Sequence, residues 1–272
     1  MKKLKGKNAL LTGGSMGIGP NIARVLAREG VNIALSARSE DKLKAVADEL
    51  TGYNVRAIAV PTDVTDPDSR EKMVEKVKNE FGKIDLLINN AGIEWLSSFN
   101  DLTQKEIEKM IQTNLIAPLM ITRLVLPEML KRSSGHIVTI SSLGGKKGSP
   151  YSATYAATKA GLIAWTSSLR AELYKTGVSA SVVCPGFISD TGMFAVYNKK
   201  APKIAGESKP EAVYKAVLKC IKKDIQEIVV NPGATRLMLM IDALNPNIIT
   251  SILRKSGVHD FFRQQALDNK KQ

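Results

Sequence analysis

Short, almost continuously apolar runs alternate along this chain with longer segments whose apolar residues recur every three or four positions. The runs lie at 8–12, 32–36, 55–60, 85–89, 136–141, 179–184 and 227–231. Runs of this length without polar alternation predict strands covered on both faces, which is the condition of a parallel sheet between helical layers. Segments at 18–29, 41–50, 68–81 and 152–175 carry the helical spacing. Seven strands alternating with helices and joined by right-handed crossovers predict an α/β fold, a doubly wound seven-stranded parallel sheet of Rossmann type. No internal repeat and no Pro/Gly/Ser linker divides the sequence, so residues 1–272 read as a single domain.

Two regions break the alternation. Residues 187–210 form a long connection in which Phe187, Met193, Phe194, Val196 and Tyr197 sit beside polar residues, the pattern of a functional lid or substrate loop. From Pro232 onward, apolar residues at 237–241 and at Ile248, Ile249, Ile252, Leu253, Phe261 and Phe262 keep roughly helical spacing. This predicts two or three amphipathic helices, a C-terminal extension over 232–272.

Composition narrows the picture. With 44% hydrophobic and 24% charged residues, the chain is neither disordered nor of low complexity. Its 39 Lys and Arg against 26 Asp and Glu leave +13, a surface attractive to nucleic acid, anionic lipid or an acidic small molecule. The cations are scattered and only 5% of residues are aromatic, which argues against nucleic-acid binding. The only cysteines, Cys184 and Cys220, allow no disulfide framework and no zinc spacing, so a reducing, cytoplasmic setting is expected. The N-terminal lysines precede a short apolar run that flows into glycines, and nowhere do eighteen apolar residues follow one another. Neither a signal peptide nor a membrane-spanning helix is expected. His136 and His259 have no partner at ligand spacing, so no metal site is expected.

The first predicted strand ends in Thr12-Gly13-Gly14-Ser15-Met16-Gly17-Ile18-Gly19, and a helix follows directly. Glycines allow a tight turn and a close backbone approach to a pyrophosphate at the positive end of that helix. The second predicted strand ends in Ala37-Arg38. A carboxylate there would bind a ribose 2′-hydroxyl, whereas an arginine pairs with a 2′-phosphate, so NADP is favoured over NAD. Tyr155 and Lys159 are four residues apart in a helical pattern and share one face. A free phenol has a pKa near 10, too high for a base at neutral pH, and a neighbouring ammonium favours its ionised form. Such a pair can exchange a proton with an alcohol or a carbonyl.

In order along the chain stand the glycine turn, Asn89-Asn90-Ala91-Gly92 after the fourth strand, Asn114, Ser142 after the fifth strand, Tyr155, Lys159 and Pro185-Gly186 after the sixth. This series resembles the short-chain dehydrogenase/reductase family, strongly over about residues 6–190 and weakly beyond. The resemblance implies a catalytic Asn114-Ser142-Tyr155-Lys159 tetrad. In it Tyr155 exchanges the proton and Ser142 hydrogen-bonds the substrate oxygen. Lys159 lowers the tyrosine pKa and binds the nicotinamide ribose, and Asn114 anchors a water linked to the lysine. Ser142 is chosen over Ser141 because it lies thirteen residues before Tyr155, the family's usual spacing. The resemblance further implies cofactor contacts at Gly13, Ser15, Gly17, Ile18, Gly19, Arg38, Asp63 (adenine), Asn90 (adenosine ribose), Pro185 and Ile188 (carboxamide). It leaves either Ser189 or Thr191 as the hydroxyl after the Pro-Gly pair.

Some positions depart from the family pattern. Met16 stands where many NADP-dependent members carry a basic residue, which leaves Arg38 as the main determinant. The C-terminus lacks the ending typical of oxoacyl-carrier-protein reductases, which argues against a role in fatty-acid synthesis. Trp95 either lines a substrate cleft or packs, Glu94 either orients a substrate or, the favoured reading, is a solvated carboxylate, and Cys184 reads as core. The function expected is NADP(H)-dependent reduction of a lipophilic ketone or aldehyde, reversible to the alcohol. A rival reading is an NADP-binding sensor or scaffold without turnover. A further reading turns the basic surface and the amphipathic tail toward a membrane surface. A homodimer or homotetramer, paired through the helices carrying Asn114 and Tyr155, is implied by the resemblance alone.

Overall fold

The computed structural model describes residues 3–195, 200–202 and 204–269. Val196 and Tyr197 of the predicted substrate loop lie outside these. Seven strands form one parallel sheet: β1 (Asn8–Thr12), β2 (Asn32–Ala37), β3 (Ala57–Pro61), β4 (Leu86–Asn89), β5 (Gly135–Ile140), β6 (Val178–Pro185) and β7 (Glu227–Val230). Their order is β3-β2-β1-β4-β5-β6-β7. The chain therefore reverses its direction of winding between β1 and β4, where Ala9 pairs with Leu86 and Leu11 with Ile88. Ligands of such sheets bind outside the carboxyl ends of the strands at that switch point.

The strands form where the sequence is apolar on both faces. Leu11, Ile33, Leu35 and Ile88 point into one core, and Leu10, Ala34, Leu87 and Ile137 into the other. The first core is closed by α1 (Gly19–Arg28), α2 (Glu40–Thr51) and α8 (Pro210–Lys223), through residues such as Leu26, Leu43 and Val217. The second is closed by α3 (Pro67–Phe81), α5 (Ala117–Lys131) and α6 (Ala153–Glu172), through Met73, Val125 and Leu169. Helix starts follow local chemistry. Asp66 caps α3 by accepting from the Ser69 amide at 2.6 Å, and Pro67 follows it. Thr103 and Glu106 form a capping box on α4 (Gln104–Ile111).

A π-helical turn, Gln112–Ile116, joins α4 to α5 and carries Asn114. Such bulges occur frequently at functional sites. The continuous helical run 104–131 is long and apolar enough, by length and composition, to cross a membrane. The expectation of no such helix rested on unbroken apolar runs, whereas here the apolar residues are interspersed and Ile121, Val125 and Met129 pack on the sheet.

After β6 the chain forms a short helix, α7 (Gly192–Ala195). Beyond β7 come α9 (Thr235–Leu244), α10 (Pro246–Lys255) and α11 (Val258–Asn269). They give the predicted amphipathic extension as three helices. Helix α11 brings Val258 and Phe262 against Leu96. Phe187, Phe194, Phe261 and Phe262 form an edge-to-face cluster, with Phe187–Phe194 ring centres 4.8 Å apart and Phe261–Phe262 5.5 Å apart.

Candidate active site

The carboxyl ends of β1, β2, β4, β5 and β6 open into a cleft of about 1240 Å³. This exceeds the ~300–1,000 Å³ usual for one small-ligand pocket, so it has room for two molecules side by side. One end is lined by Gly13, Ser15, Met16, Gly17, Ile18, Arg38, Asp63 and Asn90, and the other by residues of the C-terminal helices.

The glycine turn admits no side chain at its tightest points. Gly13 has φ +69, and a Cβ there would lie 2.8 Å from Asn90 Nδ2. At Gly19 a Cβ would lie 2.0 Å from the Gly13 carbonyl oxygen. Thr12 ties this turn to the one after β4, because its hydroxyl accepts from the Asn90 and Ala91 amides, both at 3.1 Å. Asn90 Nδ2 donates to the carbonyls of Thr12 (2.9 Å) and Gly13 (3.1 Å), while its Oδ1 is buried without a partner in the protein. A buried acceptor of that kind is costly unless a ligand hydroxyl or water meets it. Arg38, Ser39 and Lys42 line the cleft beyond β2, so two cations face its outer end. Burial pulls the Asp63 carboxyl upward, but hydrogen bonds from Thr65 (2.7 and 2.9 Å) and the nearby Arg38 hold it below its ordinary value.

At the centre of the cleft stand Ser142, Tyr155 and Lys159. Lys159 lies across the tyrosine, its Nζ 5.6 Å from the ring centre, and donates to the Ile140 carbonyl at 3.0 Å. Its burial lowers the ammonium pKa to about 8, against the opposing pull of Glu94. The two neighbouring serines diverge. The Ser141 hydroxyl is buried and donates to the Lys159 carbonyl at 2.7 Å, whereas that of Ser142 accepts from the Gly144 amide at 3.1 Å in the cleft wall. Asn114 is fully buried and stands one layer behind the lining. Its Oδ1 accepts from the Ile93 amide at 2.8 Å, and its Nδ2 donates to the Ile93 carbonyl at 2.8 Å. The structure thus engages this side chain in bracing the wall beside Lys159. A Cβ added at Gly92 would lie 3.4 Å from Lys159 Nζ and 3.5 Å from Asn114 Oδ1, so both groups converge on one point.

Pro185, Ile188 and Thr191 line the cleft as well. Of the two hydroxyls left open by the sequence, Thr191 lines it, while Ser189 donates to the Asp190 carboxylate at 2.8 Å. Leu96 lines the cleft and the half-buried Trp95 beside it does not. Cys184 lies in the core, where burial pushes its thiol up to about 12, and His136 is buried against Ser181 at 2.9 Å with its pKa lowered to about 4. Among the described residues no group of three His, Cys, Asp or Glu gathers to hold a metal.

Glu94 departs from the sequence reading. It is not a solvated carboxylate: it lines the cleft and accepts a hydrogen bond from the Ser152 hydroxyl at 2.5 Å. Withdrawal from water raises its pKa, against the opposing effects of Ser152 and Lys159. Its position right after the Asn-Asn-Ala-Gly turn was visible in the sequence, but its enclosure depends on Ser152, which is distant along the chain.

Residues 7–202 match the family model described as short chain dehydrogenase. The chain is 43% identical over 271 residues to the ketoacyl reductase HetN of Nostoc sp. (strain PCC 7120), covering 98% of this chain and 94% of that protein. Among solved structures it is similar to a metagenomic short-chain oxidoreductase in complex with NADP (31% identity, TM-score 0.74, 85% of this chain and 100% of that one). It is also similar to a variant of actinorhodin polyketide ketoreductase with NADPH (30% identity, TM-score 0.77, 86% and 99%).

Proposed function

Because the chain belongs to the short-chain dehydrogenase/reductase family and so is an oxidoreductase, we propose that it reduces a lipophilic ketone or aldehyde with NADPH, reversibly to the alcohol. The observation that carries this reading is that the glycine turn, Arg38 and the Ser142-Tyr155-Lys159 group line one cleft. The residues fit the dinucleotide. The turn from Gly13 to Gly19 leaves backbone room for a pyrophosphate at the start of α1, Asn90 Oδ1 is an unmet acceptor, and Arg38 with Lys42 suits a 2′-phosphate. When bound, the cofactor supplies the hydride.

The chain's own groups handle the oxygen. Tyr155 gives its proton to the carbonyl oxygen as negative charge develops there, and takes it back in the reverse direction. Ser142 donates a second hydrogen bond to the same atom, a form of preorganised stabilisation that does not require reorganisation during reaction. Lys159, kept mostly protonated at neutral pH by a pKa of about 8, favours the phenolate left on Tyr155. Asn114 is a positioning residue through Ile93.

The far end of the cleft is lined by Phe194, Met238, Leu239, Leu253 and Phe261, which supports a lipophilic substrate. HetN is called a ketoacyl reductase, and its match runs through the C-terminal helices of this chain, so ketoacyl compounds belong in the substrate panel. A sensor without turnover is the weaker reading, since cofactor binding alone requires no acid/base pair at the cleft centre. The test is NADPH consumption over a panel of aliphatic, acyl and aromatic carbonyls of graded chain length. Turnover rising with chain length supports the reading, and background rates throughout would refute it.

A further inference from the structure

The pair α9–α10 has two faces with different duties. Thr235, Met238, Leu239 and Asp242, spaced as one side of a helix, face the cleft from α9, and Ile249 and Leu253 do so from α10. The opposite side of α9 carries Leu237, Met240 and Leu244, and an adjacent side of α10 carries Ile248 and Ile252, all exposed, with Met240 64% and Leu244 88% accessible. Spacings of three, four and seven residues make each set a stripe. The orientation is fixed from within. Lys147 forms an ion pair with Asp242 at 2.7 Å and donates to Thr250 Oγ1 at 3.1 Å, so the inward face is anchored to the loop after Ser142 and the apolar stripe is held outward. Charge follows the same division. Between 235 and 255 the basic residues are Arg236, Arg254 and Lys255, all exposed, and the sole acid, Asp242, is already paired inward. The apolar residues surround the turn at Asn245, and the cations stand at the ends of the pair remote from it along the chain.

We propose that this helix pair docks on an anionic phospholipid surface, with the Leu244–Ile248 turn entering the acyl boundary and Arg236, Arg254 and Lys255 meeting the headgroups. Apolar side chains flanked by cations are what an interfacial helix requires, and anionic headgroups complement a hairpin with no outward acid. The net charge of +13 adds a long-range attraction of the same sign. Since the other faces of the same helices line the cleft, docking would place its apolar end beside the lipid from which a lipophilic molecule enters. The docking itself does not depend on turnover.

The full chain is sedimented with phosphatidylserine/phosphatidylcholine vesicles and with pure phosphatidylcholine vesicles, across increasing salt. Binding to the mixed vesicles that weakens with salt, with little binding to the neutral ones, is expected. The double variant Met240→Asp/Leu244→Asp should bind at least about tenfold more weakly, and so should Arg254→Glu/Lys255→Glu. Both should keep the parent's thermal unfolding and its NADPH turnover of a water-soluble ketone. Absence of binding to anionic vesicles, or unchanged binding by both variants, would overturn the proposal. So would a dimer in solution that the aspartate pair dissociates, because a second copy would then cover this face.

Discussion

Lys159 should make the free protein less stable than it would be with a neutral side chain there. Its Nζ is enclosed beside Tyr155, and burial lowers its pKa from 10.5 to about 8. At about 1.4 kcal/mol per tenfold change, this corresponds to about 3 kcal/mol of strain borne by the folded state whenever the group is charged. The sign follows from proton counts. Between pH 8 and 10.5 the unfolded chain holds a proton on this amine that the folded chain has released, so stability rises with pH across that window. It is greatest above the unfolded value and is lost as pH falls through about 8. Lys159→Met removes the charge and the bond to the Ile140 carbonyl, a loss of about 1 kcal/mol. The expected balance near pH 7 is a gain of about 2 kcal/mol for the variant, fading by pH 10 and accompanied by loss of carbonyl reduction. Urea unfolding of both proteins at several pH values reads this directly. A variant destabilised by the same amount at every pH would refute the reasoning.

Three further outcomes follow from the same geometry. Arg38→Glu replaces a partner for the 2′-phosphate with a repulsive charge, and the ratio of kcat/KM for NADPH to that for NADH should fall about 10–100-fold in steady-state assays. Asn114→Ala leaves the Ile93 amide and carbonyl unmet, so denaturant unfolding should show a loss of about 2 kcal/mol or more. Glu94 has its carboxyl raised chiefly by burial, so its contribution to stability is full below the ordinary carboxylate range and is lost as pH rises through the raised value. Glu94→Gln should therefore gain stability relative to the parent as pH rises above the ordinary carboxylate value, as measured by thermal unfolding; a pH-independent difference would contradict the withdrawal of that group from water.

The sheet was legible because its strands are buried on both faces, so each reads as an unbroken apolar run. The ends were less so: the third strand begins at Ala57, not at 55, because Val55 and Arg56 still belong to the approach from α2. The glycine turn, Arg38 and the Tyr155/Lys159 spacing were visible as local signals, Ser142 came only through the family resemblance, and the sheet's switch point brings them to one cleft. What the sequence hid depends on partners far along the chain. The family resemblance singles out Asn114 but not the Ile93 backbone it braces, and Glu94 looks solvated until Ser152 is seen against it. The C-terminal helices were foreseeable from their spacing, but which stripe turns inward is decided by the Lys147–Asp242 pair, which no periodicity reveals.

The account's central claim is that Tyr155 moves the proton that accompanies hydride transfer in this cleft. Single-turnover mixing of the enzyme–NADPH complex with an accepted ketone, for the parent and Tyr155→Phe, tests it most directly, with NADPH affinity measured alongside by fluorescence. The account predicts equal affinity and a rate lower by about 100-fold or more in the variant. Equal rates at equal affinity would contradict it.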